Sequence, residues 1–162
     1  RDHDPGRLFV RHHLAVAELH ARLGEAHRCG QVDVLELACE PSCWRTYEAN
    51  GLVACTLKPD SFVRLGSGAY EDSYFIEVDR GTEGSTALTA QLERYVAYHR
   101  SGREQREQGV FPKVLWLAPD DHRERAIRAC IDRLGADREL FDAAIFDQAI
   151  EHLTDAEKNG EM

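Results

Sequence analysis

Lysine is scarce in this chain. Only Lys58, Lys113 and Lys158 stand against seventeen arginines. A step that needs a titratable amine therefore has three candidates, because a guanidinium stays charged and cannot act as a base. No run of eighteen apolar residues occurs, which excludes a membrane-spanning helix. No signal-peptide pattern opens the chain. The five cysteines (Cys29, Cys39, Cys43, Cys55, Cys130) are odd in number and loosely spaced. That excludes a disulfide-built scaffold and points to reduced thiols in a cytoplasmic protein. Cys39 and Cys43, with Cys55 and the histidines, fall within loose zinc-ligand spacing, but no second close pair completes a site, so idle thiols are expected instead. Positive charge is in deficit, with a formal net charge of −9. Binding to nucleic acid by bulk electrostatics is thereby excluded, since phosphate affinity comes largely from Lys and Arg. An acidic protein still engages DNA where a metal ion offsets its carboxylates. P-loop, G-x-S-x-G and H-E-x-x-H motifs are all missing.

What is present suits a globule. Of 162 residues, 43% are hydrophobic and 30% charged, enough for one buried core. One domain is expected over 1–153, with a polar, unstructured tail over 154–162. The chain opens on Arg1 and not on methionine, which predicts a piece of something longer. Residues 1–7 read as a frayed entry. Phe9 to Arg28 reads as a helix, with Phe9, His12, Val16, Leu19, Leu23 and Ala26 at spacings of three and four. The histidine series His13, His20, His27 reads as a solvent-facing set. Val32 to Ala38 reads as a strand, followed by loop at 40–44 and 49–51. Val53 to Val63 is a second extended stretch, interrupted at Pro59. Gly66 to Gly68 is a turn, and Ser73 to Val78 a third strand that pairs back as a hairpin. Thr86 to Arg100 is a helix, and 101–109 a mobile charged loop. Val110 to Ala118 holds the continuous apolar run of a strand buried on both faces. Asp121 to Leu134 is a helix and Leu140 to Ile145 a last strand. The order predicts an α/β fold, a mixed central sheet flanked by helices.

Chemistry concentrates in three places. Asp60 follows Pro59. Glu77 and Asp79 share one face of their strand, because side chains alternate with period two. Gln91 and Tyr95 lie one helical turn apart. Carboxylates at neighbouring strand ends can converge on one hard cation, Mg²⁺ or Mn²⁺, which prefers oxygen ligands. Each residue also has a plainer reading. Asp60 would be a turn residue, Glu77 a partner of Arg80 or Arg94, and Gln91 with Tyr95 ordinary helix packing.

The order helix, strand, P-D strand, E-x-[K or variant] strand, helix, strand resembles the restriction-endonuclease-like PD-(D/E)XK core. Gln91-x-x-x-Tyr95 resembles the Q-x-x-x-Y helix of its RecB-type branch. More closely, Phe9–Leu23, Leu57–Leu65, Phe75–Glu83, Leu92–Tyr98 and Phe111–Leu115 resemble the replication-relaxation family of bacterial plasmids and integrated elements. The resemblance implies a DNA-processing or DNA-associated domain, with metal ligands Asp60, Glu77 and Asp79. It implies substrate contacts from Gln91, Tyr95, Arg80 and Arg94, with DNA and other replication or transfer proteins as partners. Position 79 is lysine in active nucleases of this type and is Asp79 here, so Lys58 becomes the candidate replacement. The alternative implied is a catalytically inactive module that binds protein or DNA.

Overall fold

The run Val114-Leu115-Trp116-Leu117 sets the architecture. A strand with apolar side chains pointing both ways needs a hydrophobic layer on each side. The structure, a computed structural model that describes residues 5–159, supplies both layers. In chain order its elements are α1 (Pro5–Arg28), β1 (Asp33–Cys39), β2 (Arg45–Ala49), β3 (Val53–Leu57), β4 (Ser61–Ser67), β5 (Tyr70–Val78), α2 (Ser85–Ser101), α3 (Arg103–Gln108), β6 (Lys113–Ala118), α4 (Asp121–Asp132), β7 (Phe141–Ile145) and α5 (Ala149–Asn159). Five strands form one sheet in the order β1-β4-β5-β6-β7. The β1, β4 and β5 pairings are antiparallel, whereas β6 and β7 run parallel to β5. The fold is therefore α/β, with a mixed sheet flanked by helices. No helix among the described residues is long and apolar enough to cross a membrane.

Alternation along the strands sorts the core. Phe62, Phe75, Val114 and Trp116 pack with Leu88, Leu92 and Tyr95 of α2 and Ile127 of α4. On the opposite face Val63, Leu65, Ile76, Leu115 and Leu117 pack with Leu19 and Leu23 of α1 and Leu153 of α5. Phe75 and Ile76 thus point to opposite layers, which sends Glu77 to the α2 side.

Five segments differ from the sequence reading. The stretch 53–63 is two strands in two sheets. Pro59 has no N–H for a ladder, so the chain leaves the β2–β3 hairpin there and enters the main sheet at Ser61. Strand β2 lies between two segments read as loop; its burial alternates, but the inward positions are Arg45, Tyr47 and Ala49, so the sequence shows little apolar alternation. The turn before β5 is tighter than expected, with β4 running to Ser67 and β5 starting at Tyr70. The charged segment 101–109 is not a mobile loop; it holds α3, whose Glu104 is buried. At the C-terminus, Thr154 does not begin an unstructured tail. Helix α5 continues to Asn159, and the Thr154 hydroxyl donates to the Ile150 carbonyl at 3.0 Å. Residues 1–4 and 160–162 lie outside the described residues, with the parts of the frayed entry and the tail expected there.

Asp142 on β7 ties two helices to the sheet. Its carboxylate lies 2.9 Å from His152 Nε2 on α5 and accepts from Arg128 Nη1 on α4 at 3.0 Å. Burial by itself would raise its pKa; the His152 contact, the Ala143 N–H and Arg128 outweigh burial and hold it at about 2. A depressed carboxylate pKa stabilises the fold above the unfolded value and loses that contribution as pH falls through about 2. Asp142→Asn is expected to cost about 1 kcal/mol at neutral pH, allowing for partial exposure, and nothing near the bottom of that window. Urea melts at a series of pH values check this.

Candidate functional site

Strand register creates the site. In the antiparallel β4–β5 pair Ser61 faces Ile76, so one step further places Asp60 across from Glu77. Asp60 is only 7% exposed. Its Oδ2 accepts the Val78 N–H at 2.7 Å, and its Oδ1 lies 3.0 Å from His12 Nε2. The backbone of β5 and a side chain of α1 therefore fix its orientation. The hydrogen bond to Asp60 raises the pKa of His12 against the opposing effect of burial.

Glu77 receives a hydrogen bond from the Tyr95 hydroxyl. Burial first, then the charge of Asp60, push Glu77 well above the ordinary carboxylate range, although the Tyr95 donor opposes them. A third carboxyl joins from the end of β1. The ligand atoms of His12, Glu40 and Asp60 all lie within 4.8 Å of one another. Burial and the proximity of Asp60 raise Glu40 as well, against the nearby His13 and His12. Asp60 is thus flanked by Glu77 across the strand pair and by His12 and Glu40, whose ligand atoms lie within 4.8 Å of its own. His12, Asp60 and Glu77 open onto a cleft of about 370 Å³ whose walls include Arg11, Arg80, Gln91 and Trp116.

The structure brings some of the expected residues together and parts others. Asp60, Glu77, Asp79, Arg80 and Gln91 all line the cleft. Tyr95 sits behind Glu77 as its donor. Asp79 faces the side of Glu77, as period two requires, but its carboxylate is neutralised. Arg123 on α4 grips Oδ2 with Nε at 3.0 Å and Nη2 at 2.7 Å, while the Gly81 N–H donates to Oδ1. Gly81 makes that turn at φ +72°, a conformation open to glycine at no steric cost. Lys58 stands outside the cleft, exposed, with its ammonium 4.5 Å from the Trp44 ring centroid. Arg94 is exposed and acts electrostatically on Tyr47 of the hairpin.

Sequence reasoning missed Glu40, Arg11, Arg123 and the role of His12. The histidines of α1 do not form one solvent-facing set. His13 and His27 are exposed, but His12 turns to Asp60, and His20 Nε2 lies 2.6 Å from the buried Ser61 Oγ. Burial lowers the pKa of His20. A signal for His12 existed, since it sits on the apolar stripe of α1. Nothing local marks Glu40, whose role depends on where β1 ends against β4.

The profile of the replication-relaxation family matches residues 1–114. Neither the curated proteins nor the solved structures give a match. The matched segment contains His12, Glu40, Asp60, Glu77, Gln91 and Tyr95, whereas Arg123 lies beyond it.

Proposed function

The chain belongs to the replication-relaxation family, which associates it with replication and DNA, and from that premise we propose that its cleft binds a divalent cation and, with it, a phosphate of DNA. The observation that carries this reading is Asp60 facing Glu77 across β4–β5, with the ligand atoms of His12, Glu40 and Asp60 within 4.8 Å of one another. The donor set fits such an ion. Carboxylate oxygens suit Mg²⁺ and Mn²⁺, and the imidazole favours Mn²⁺. Burial first raises the proton affinity of Glu77 and Glu40, and the charge of Asp60 adds to it, a repulsion that a cation would relieve. When bound, the cation would supply Lewis acidity to a phosphodiester. The chain's own groups would do the rest. Tyr95 and the Val78 N–H hold the two acids, Arg11 and Arg80 offer charge to a phosphate, and Gln91 offers an amide at the wall.

The β4–β5 hairpin, the parallel β6 and the Gln91/Tyr95 helix support a restriction-endonuclease-like core. A hydrolytic role is one outcome of that core. A second is cation-dependent DNA binding without cleavage, in a module that docks replication or transfer proteins. This second outcome is favoured by Asp79 being tied to Arg123 and Lys58 lying over Trp44, so that no lysine is among the described residues lining the cleft.

Calorimetric titration with Mn²⁺ tests the reading. Wild type is expected to bind, and Asp60→Asn and Glu77→Gln to weaken binding at least tenfold, about 1.4 kcal/mol. Labelled single-stranded and duplex DNA then separate the outcomes. Mn²⁺-dependent cutting lost in both variants marks a nuclease, whereas Mn²⁺-dependent retention of uncut DNA marks a binding module. A folded wild type that binds no Mn²⁺ overturns both.

A further inference from the structure

Helix α1 carries a second apolar stripe that the fold does not use. At about 100° per residue, Val10, Leu14, Ala17 and Ala21 fall on the side opposite the buried Leu19 and Leu23. All four are exposed. Phe9, Val10 and Leu14 are 65%, 55% and 63% exposed, three of the eight large apolar side chains in that state among the described residues. Concentrating them within two turns of one helix marks an interaction surface, not scattered exposure.

The stripe is asymmetric in size and in charge. Its large members, Val10 and Leu14, occupy the N-terminal half, with Phe9 on the flank about 100° round from Val10. Its small members, Ala17, Ala21 and Gly24, occupy the C-terminal half. A Cβ at Gly24 would meet only the Arg28 guanidinium, at 3.9 Å, so that position is a shallow hollow. Along one flank the N-terminal half carries Arg7 and Arg11 and the C-terminal half carries Glu25 and Glu18, the latter also paired with Arg22 of its own helix. We propose that this face docks the same face of a second copy of the chain, with the two α1 helices antiparallel about a two-fold axis between Leu14 and Ala17.

Only opposite directions satisfy both asymmetries at once. Antiparallel pairing sets Val10 on the partner's Ala21 and Leu14 on the partner's Ala17, with Phe9 toward the partner's Gly24. The same register brings Arg7 beside the partner's Glu25 and Arg11 within a turn of the partner's Glu18. Parallel pairing would stack Leu14 on Leu14 and Ala17 on Ala17, and would carry the charged flanks to opposite sides of the pair. Small residues at the crossing let the backbones approach closely, and an isologous contact of this kind closes on itself as a dimer. Leu8, Arg11 and His12 line the cleft from the same helix, so the pairing would join two clefts through one element. The inference does not depend on what the clefts bind.

Sedimentation of the whole 162-residue chain over a concentration series tests it. The expected species has twice the 18.3 kDa chain mass. Leu14→Asp is expected to raise the dissociation constant at least tenfold with an unchanged circular dichroism spectrum. Arg7→Glu is expected to weaken the dimer as well, and Arg7→Glu with Glu25→Arg to restore it. The proposal is overturned by a wild type that stays monomeric up to roughly 200 µM. It is also overturned by a dimer that tolerates Leu14→Asp, or by a charge swap that fails to restore what Arg7→Glu removes.

Discussion

Glu104→Ala is expected to cost roughly 3–5 kcal/mol, because it strips the counter-charge from a buried network. Glu104 is 1% exposed. Its Oε2 accepts from Arg45 Nε at 3.1 Å and from the Tyr98 hydroxyl at 2.5 Å. Arg45 also donates to the Cys43 carbonyl and stacks 5.1 Å from the Phe62 ring and 5.3 Å from the Phe75 ring. Removing the carboxylate leaves a half-buried guanidinium over two aromatic rings and a hydroxyl without its acceptor. At about 2–4 °C per kcal/mol for a chain of this size, the thermal midpoint falls by about 10 °C. Glu104→Gln keeps an acceptor for Tyr98 and should cost about 1–2 kcal/mol. The double variant Arg45→Met, Glu104→Leu removes both charges together and should recover most of the loss, as replaced buried pairs do. Urea titrations of the four proteins check the cycle. A loss under about 1 kcal/mol in Glu104→Ala would make the contact incidental.

The same network explains why α3 was invisible in the sequence. Arg103 to Gln108 has no apolar periodicity, so composition alone reads it as solvated loop. Its anchor is a carboxylate whose cationic partner lies 59 residues away on β2. Gly102, at φ +68°, ends α2 and turns the chain into α3, and an added Cβ there would meet Arg106 Nη1 at 2.9 Å. Strand β2 was hidden for a related reason, since one of its inward positions is Arg45, whose partner is Glu104 of α3. By contrast β5, β6 and β7, α2 and α4 were legible, because each buries a face at its own period against the sheet or a helix.

The site divides along the same line. Asp60 and Glu77 are readable as a pair once two neighbouring strands are recognised, since antiparallel register sets them opposite each other. Gln91 and Tyr95 are readable from helical spacing. The face of Asp79 is readable too, but its partner Arg123 is 44 residues further on. A local rule gives the direction of a side chain and not what waits for it. Hence the sequence reading offers Asp79 as a metal ligand, while the structure sets it in an ion pair that joins β5 to α4. His12 and Glu40 arrive from elements outside the strand–helix motif, and their approach depends on how α1 and β1 pack around β4.

Glu77→Gln should remove about half of the cation response or more and, without cation, make the protein more stable. Glu77 has a folded pKa raised well above the ordinary glutamate value of about 4.3. Folding therefore favours its protonated form. That contribution is complete at pH below the unfolded value and is lost as pH rises through the folded one. His12, also raised, stabilises below its unfolded value and loses that contribution as pH rises, so the two act in the same direction. Stability of the cation-free protein should then decline as pH climbs above the usual carboxylate range. Glutamine still offers Tyr95 an acceptor but never ionises. It should flatten the decline and add about 1–2 kcal/mol at neutral pH. A cation needs the ionised acid, so its effect on wild type should grow with pH. At a hundredfold excess over its dissociation constant that effect is about 2.7 kcal/mol, and a variant that binds at least tenfold more weakly should lose about half of it or more. Thermal midpoints of both proteins between about pH 5 and about pH 9, with and without Mn²⁺, measure the two slopes. A variant less stable at every pH, whose midpoint still rises with Mn²⁺, would make Glu77 a structural acceptor for Tyr95 and remove it from any cation site.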